Sequence, residues 1–256
     1  MGGIIIKNEQ DLELMRPACL LAGKVRDEVA GFIRPGVTTR QVDEYAAERI
    51  KAYGAKSAFL GYRKFPCHTC LSVNEEVVHG MASQRQLRLG DIVSIDVGVL
   101  YNGFVGDTAR TVAVGGCSAL AQELMDVTEK SLYEGIAAAV AGNRITDISR
   151  AVQTYVEAHN FSVVRQFVGH GVGRSMHEEP QIPNYVDPRC DQKLKPGMTL
   201  AIEPMVNAGG PEVKTLKDHW TVVALDGSLS AHFEHSVLVT HGQPEILTWN
   251  GTEPSK

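Results

Sequence analysis

The chain lacks any long apolar run: no stretch approaches the roughly 18 uncharged residues a membrane-spanning helix needs, so no membrane span is expected. It lacks an excess of positive charge as well. With 25 Lys and Arg against 30 Asp and Glu, the formal net charge is −5, and recognition of nucleic acid through a basic face is not expected. The five cysteines, Cys19, Cys67, Cys70, Cys117 and Cys190, are odd in number and scattered, which argues against a secreted disulfide framework. Met1-Gly2-Gly3-Ile4-Ile5-Ile6-Lys7 is too short an apolar stretch for a secretory leader, and Ile6 stands where a myristoylation start needs Ser or Thr. A cytoplasmic protein is expected. Two motifs are incomplete: Cys67-His68-Thr69-Cys70 has no second cysteine pair and no helix start behind it, and Gly169-His170-Gly171-Val172-Gly173 lacks the Lys-Ser/Thr ending of a phosphate loop.

What remains is ordinary globular material, 256 residues with 43% hydrophobic and 21% charged, enough for one large domain or two intimate halves. Apolar residues at helical spacing predict helices from about Glu9 to Ile33 and from Thr39 to Tyr53, the second closed by Gly54. A hairpin is expected from Asp91–Leu100 and Phe104–Val114 around the Asn102-Gly103 turn. Helical spacing returns from Ser118 to Val140 and from Thr146 to His159. Strand-like runs follow at Val163–Val168, Thr199–Val206, His219–Ala224, His232–Thr240 and Ile246–Trp249. A shift of 106 positions lays the second helical region on the first: Gly36 meets Gly142, Val42 meets Ile148 and Ile50 meets Val156. The expected organisation is a single catalytic domain, 1–256, with pseudo-repeat halves of about 1–117 and 118–250, each helices then strands.

Four acids stand where acids are costly. Asp96, Asp107, Glu203 and Glu234 each interrupt a run of strand-forming apolar residues, and an isolated charge there is tolerated only when paired or metal-bound. Two divalent cations match four carboxylates in charge and leave neutral His170 as a nitrogen ligand. With the Asn-Gly turn at the hairpin tip, Tyr101 pairs with Phe104, Gly98 lies opposite Asp107, and Ala109 lies opposite Asp96. Both aspartates then share a face, with Ile95, Val97 and Val99 on the other. Gly98 is expected to leave room for metals. Pro204 holds Glu203 extended and removes a ladder donor just beyond it.

Asp96-Val97-Gly98, Gly106-Asp107-Thr108, Gly169-His170-Gly171-Val172-Gly173, Met176-His177-Glu178-Glu179-Pro180, Ile202-Glu203-Pro204 and Phe233-Glu234-His235 resemble, in order and nearly end to end, the motifs of the methionine aminopeptidases. The likeness is to the short bacterial type I form, in the first subfamily of metallopeptidase family M24. It implies an α+β pita-bread fold, two pseudo-symmetric halves whose antiparallel sheets enclose a dinuclear metal site.

The resemblance assigns Asp96 to one metal, Asp107 and Glu234 to both, and His170 with Glu203 to the other. The ions would be Co, Mn, Fe(II) or Zn. Glu203, His79 and His177 would be the catalytic groups, Glu203 moving a proton and the histidines hydrogen-bonding the scissile peptide, His79 near its nitrogen and His177 near its oxygen. Phe59, Tyr62, Phe65, Cys70, Met176 and Trp220 would line an apolar pocket for a methionine side chain, with a small residue preferred next. The implied substrates are N-termini of nascent polypeptides, with transient ribosome contact and a monomeric enzyme. Departures from the family pattern are Val105 for histidine, Met176 for phenylalanine, His232 for glutamine, and Cys67-His68 for Lys-Ser. Two other readings stay open: an Xaa-Pro aminopeptidase or dipeptidase of the same fold, whose members usually carry a further N-terminal domain, and a non-catalytic peptide-binding relative.

Overall fold

The computed structural model describes residues 3–249 and 251; Met1, Gly2, Asn250 and residues 252–256 of the expected domain lie outside the described residues. Its first half contains α1 (Glu9–Phe32), α2 (Thr39–Ala52), β1 (Lys56–Ser57), β2 (Cys70–Val73), β3 (Glu76–Val78), β4 (Ile92–Tyr101) and β5 (Phe104–Ala113). The second continues with α3 (Ala119–Ala138), α4 (Ile145–Ala158), β6 (Ser162–Val163), β7 (Gly169–Gly171), β8 (Glu178–Ile182), β9 (Thr199–Ile202), β10 (Met205–Asn207), β11 (Val213–Thr215), β12 (Val222–Ala224), β13 (Ser230–His232), β14 (His235–Leu238) and β15 (Glu245–Ile246).

Local chemistry sets the helix starts. Asn8 and Asp11 close a reciprocal capping box on α1, and Thr38 with Gln41 does the same for α2. Leu12, Met15, Ala18, Cys19, Ala22, Val25 and Val29 give α1 one buried stripe at helical spacing. Val29 and Val25 pack with Val42, Ala46 and Ile50 of α2 onto Ile95, Val97 and Val99, the face of β4 turned away from its aspartate. A second core joins α3 and α4, through Leu132, Ile148 and Val152, to Leu200, Ile202 and Val237. Both ends of α2 and α4 differ by the same 106 positions, and so do the C-terminal ends of α1 and α3.

The β4–β5 hairpin has the expected register: Tyr101 faces Phe104, Gly98 faces Asp107, and Asp96 faces Ala109. Asn102 and Gly103 take φ values of 51° and 78°, the paired positive angles that match a two-residue turn to strand twist. All strand pairings are antiparallel among the described residues. β5 lies along one edge of β4, while β1 and β2 share the other; β15-β14-β9-β7-β8 forms a five-stranded sheet.

Several expected strands are shorter or split. Residues 199–206 divide at Glu203-Pro204 into β9, paired with β14, and β10, paired with β13 and β6. The run 232–240 divides at Phe233-Glu234 in the same way, into β13 and β14. Pro204 cannot donate to a ladder, so the chain leaves one sheet and enters another there. Of 163–168 only the beginning is strand, and the 219–224 and 246–249 runs reduce to β12 and the end of β15. β1, β2, β3, β7, β8 and β11 have no counterpart among the expected strands, since two to five residues are too few to establish a period.

Candidate active site

Side chains from both halves meet where β5 touches the break between β13 and β14. Glu234 N donates to Ala109 O at 2.9 Å and Ala109 N to Glu234 O at 3.3 Å. Thr108 Oγ1 donates to Glu234 O at 2.7 Å, and Ser236 Oγ to Asp107 O at 2.8 Å. These bonds hold the backbone of both acids and leave their carboxylates pointing inward. Asn184 Nδ2 likewise holds Glu203 O at 3.0 Å.

Ligand atoms of Asp107, His170 and Glu234 all lie within 4.8 Å of one another. His170 Nε2 is 3.4 Å from Glu203 Oε1 and 3.9 Å from Asp107 Oδ2. Asp96, two residues before Gly98 on β4, opens onto the same cavity. Asp96 Oδ1, Asp107 Oδ1 and Glu234 Oε1 are buried with no hydrogen-bond partner in the protein. Orphaned carboxylate oxygens from three segments that line one cavity cost several kcal/mol unless a cation sits among them, so the donor set fits metal.

The electrostatics agree. Burial pushes the Asp107 carboxyl up to about 7. Burial, then the Asp107 charge, raises Asp96, and Glu203 and Glu234 rise for the same reasons with further contributions from the other acids. Divalent charge among them reverses that direction by favouring the ionised forms. His170 is prepared as a ligand. Its Nδ1 lies 2.9 Å from Gly171 O, so that nitrogen carries the donated proton and Nε2 keeps its lone pair toward the carboxylates. Burial, then His177, lowers its pKa to about 3, so it is neutral at physiological pH.

Every predicted site residue reaches one cavity of about 230 Å³. At its floor are Asp96, Asp107, His170, Glu203 and Glu234; Phe59, Phe65, Cys70, Met176 and Trp220 form the apolar wall; His79, His177 and Tyr62 complete it. Cys70 faces Asp96 across β2 and β4, which explains why a thiol stands beside the acids. Phe65 and Trp220 meet edge to face, with centroids 5.0 Å apart. The Tyr62 hydroxyl and His177 Nδ1 are 2.8 Å apart, and the His177 and His170 rings have centroids at 4.2 Å. His79 takes φ 59°, an uncommon angle for a side chain of its size, and its ring stands against Phe167 and Trp220. Burial, then His177, lowers its pKa to about 4.

Gly98 is closely packed on the protein side. A Cβ there would lie 2.5 Å from Phe59 Cε1 and 2.9 Å from Met176 Cε, so the missing side chain makes room for the apolar wall. Sequence reading missed Arg63, Val78, Phe167, Val168 and Met205 as lining residues. Met205 had a signal, lying two residues beyond Glu203, whereas Arg63 sits in a turn that no period announces. Of the departures, His232 places its Nε2 3.8 Å from Glu203 Oε2, and Met176 lines the cavity. Cys67 and Cys70 are both free thiols.

Comparison with known proteins agrees with this geometry. The profile of metallopeptidase family M24 matches residues 13–241. A methionine aminopeptidase of Clostridium perfringens is 51% identical over 245 residues, covering 96% of this chain and 98% of its own. Methionine aminopeptidase 1 of Bacillus subtilis is 50% identical, with 96% and 99% covered. The crystal structure of a methionine aminopeptidase from Thermotoga maritima superposes with a TM-score of 0.94 at 44% identity, over 96% of this chain and 99% of that one. The fold is the pita-bread fold, and the chain belongs to the methionine aminopeptidases of metallopeptidase family M24.

Proposed function

We propose that this protein is a metallo-aminopeptidase that hydrolyses the first peptide bond of peptides and nascent proteins beginning with methionine, preferring a small second residue. The observation that carries the reading is the convergence of orphaned Asp96, Asp107 and Glu234 oxygens and the free His170 Nε2 at the floor of an apolar cavity. Asp96, Asp107, His170, Glu203 and Glu234 would hold two divalent ions, of Co, Mn, Fe(II) or Zn. When bound, such ions make water nucleophilic at neutral pH and polarise the carbonyl under attack.

The chain's own groups supply the rest. Phe59, Phe65, Cys70, Met176 and Trp220 enclose the thioether side chain, and the contact of sulfur with aromatic edges favours methionine. Glu203, buried beside other acids, takes the water proton and returns it to the departing amine, so that the C–N bond breaks after the C–O bond forms. His79 and His177, on the cavity wall, would hydrogen-bond the scissile peptide, His79 accepting from its N–H and His177 donating to its carbonyl oxygen. Crowding of the His79 ring by Phe167 and Trp220 supports confinement of the second residue.

The full-length relatives at about half identity favour this reading over Xaa-Pro cleavage or a non-catalytic binder. We read residues 1–117 and 118–250 as halves of a single catalytic unit, supported by the common offset of α2 and α4. Free thiols at Cys19, Cys67, Cys70, Cys117 and Cys190 support a reducing, cytoplasmic setting. No helix among the described residues is long and apolar enough to cross a membrane. A monomer working on chains as they leave the ribosome completes the proposal.

The test is to strip the purified protein with chelator, reload it with Mn, Fe(II), Co or Zn, and present Met-Ala-Ser, Met-Leu-Ser and Xaa-Pro peptides. Release of methionine from Met-Ala-Ser, with much less from Met-Leu-Ser, is expected. Preference for Xaa-Pro, or inertness with every metal, would overturn it.

A further inference from the structure

Outside the site stands an ion pair that the chemistry above does not use. Lys7 and Glu178 form a salt bridge whose side chains are only 3% and 5% exposed. Lys7 lies in the segment before α1, and its backbone N donates to Gly197 O at 2.8 Å, which fixes it to the body of the second half. Glu178 directly follows His177. Its other oxygen, Oε1, accepts from Ser175 N at 3.2 Å, so one carboxylate ties the ammonium to the backbone of the turn carrying Met176 and His177.

Residues 172–177 form no helix or strand. Their conformation rests on bonds at both ends and between: Val172 N to Thr199 O at 3.1 Å, Thr199 Oγ1 to Val172 O, Val105 N to Gly173 O at 2.8 Å, Gly173 N to Ser175 O at 3.2 Å, Arg174 to Asp11 at 3.0 Å, the Tyr62 hydroxyl with His177 Nδ1 at 2.8 Å, and the Glu178 contact. Gly173 is shaped around the pair, since a Cβ there would lie 2.6 Å from both Glu178 Oε1 and Lys7 Cε. A buried ion pair adds little net stability over an apolar pair of equal volume, so its advantage is directional. Here the direction is that of the segment holding His177 over the His170 ring and Met176 against Phe59.

We propose that Lys7 is a positioning residue for the reaction: through Glu178 it sets the 173–178 segment and thereby the placement of His177 in the cavity. The inference rests on the proposed hydrolysis, so wild-type turnover is established first; its absence would count against that reading and leave this one to the exchange measurement below.

Lys7→Met removes the ammonium and keeps the volume, and Lys7→Met/Glu178→Gln also removes the stranded carboxylate. Each is assayed on Met-Ala-Ser well below its melting temperature, with bound metal quantified, in the wild-type and His177→Ala backgrounds. Expected is a fall in kcat of about 10- to 100-fold with KM within about twofold, as for a displaced catalytic group. Partial recovery is expected in Lys7→Arg. With His177 already absent the same change should cost less than about twofold, because the two residues act as a unit. Wild-type kcat in the folded variants, or an equal loss in both backgrounds, would overturn the proposal. Should the variants fail to fold, hydrogen exchange on the wild-type protein decides: a protected Ser175 amide, the one bonded to Glu178, is expected, and its exchange at the rate of free peptide would overturn the proposal.

Discussion

Glu203 and Glu234 occupy facing breaks in one pair of strands. Ile202 is paired with His235 and Met205 with His232, while Phe233 N donates to Pro204 O at 3.3 Å between them. Both chains change sheets at the same level, so two carboxylates leave the ladder together on the side where the Asp107 strand arrives. The break also frees the Glu234 backbone to bond Ala109 of β5, which an uninterrupted β13–β14 ladder would keep committed to its own neighbours.

Glu203→Ala is expected to abolish methionine release, with kcat down by at least about 100-fold, because the variant loses both a proton carrier and a metal ligand. The metal-free variant should melt no lower than the metal-free wild type, since one member of a mutually repelling buried cluster is gone. Peptide assay and thermal melts check both; near-wild-type turnover would remove Glu203 from the mechanism.

Metal binding should release protons. Asp107, raised to about 7 by burial, is largely protonated at pH 6 and must ionise to serve as a ligand. Affinity should therefore climb with pH through about 7 as Asp107 ionises. Calorimetric titration in buffers of different ionisation enthalpy at pH 6.5 and 8.5 measures the release, which should be larger at the lower pH; no pH dependence would contradict the assignment of Asp107.

Stability of the metal-free protein should fall between pH 6.5 and 8. The raised acids, Asp96, Asp107, Glu203 and Glu234, bind more protons folded than unfolded, so their contribution is full below the ordinary carboxylate range and is lost as pH rises through their folded values. Below about 6.5 the buried histidines oppose this. His79, lowered to about 4, and His170 and His232, each lowered to about 3, bind fewer protons folded and lose stability on acidification. Above 6.5 the acids dominate. Melting temperatures with and without saturating Mn should diverge over that interval; parallel curves would show that the carboxylates do not share a cation.

Gly98→Val should impair substrate binding rather than metal binding. The new side chain would displace Phe59 and Met176 from the cavity wall. We expect kcat/KM for Met-Ala-Ser to fall about tenfold or more with Mn affinity within twofold, measured by kinetics and metal titration. The reverse pattern would show that Gly98 chiefly makes room for metal.

The hairpin register, the Asn102-Gly103 turn, the common face of Asp96 and Asp107, and the bounds of α1 to α4 were legible because each depends on neighbours in sequence. Alternation by two, spacing near 3.6 and the turn angles of Asn-Gly are short-range sterics that the chain carries wherever it goes. The roll of candidate site residues was legible by resemblance, and all of it opens onto one cavity. The sheet changes at Glu203 and Glu234, the use of Gly98 by Phe59 and Met176, and the tie of Lys7 to Glu178 were decided only in three dimensions. Each joins segments far apart in the chain, or depends on which strand edge is free when a proline ends a ladder. Such choices follow from packing between distant parts of the chain, and no local pattern records them.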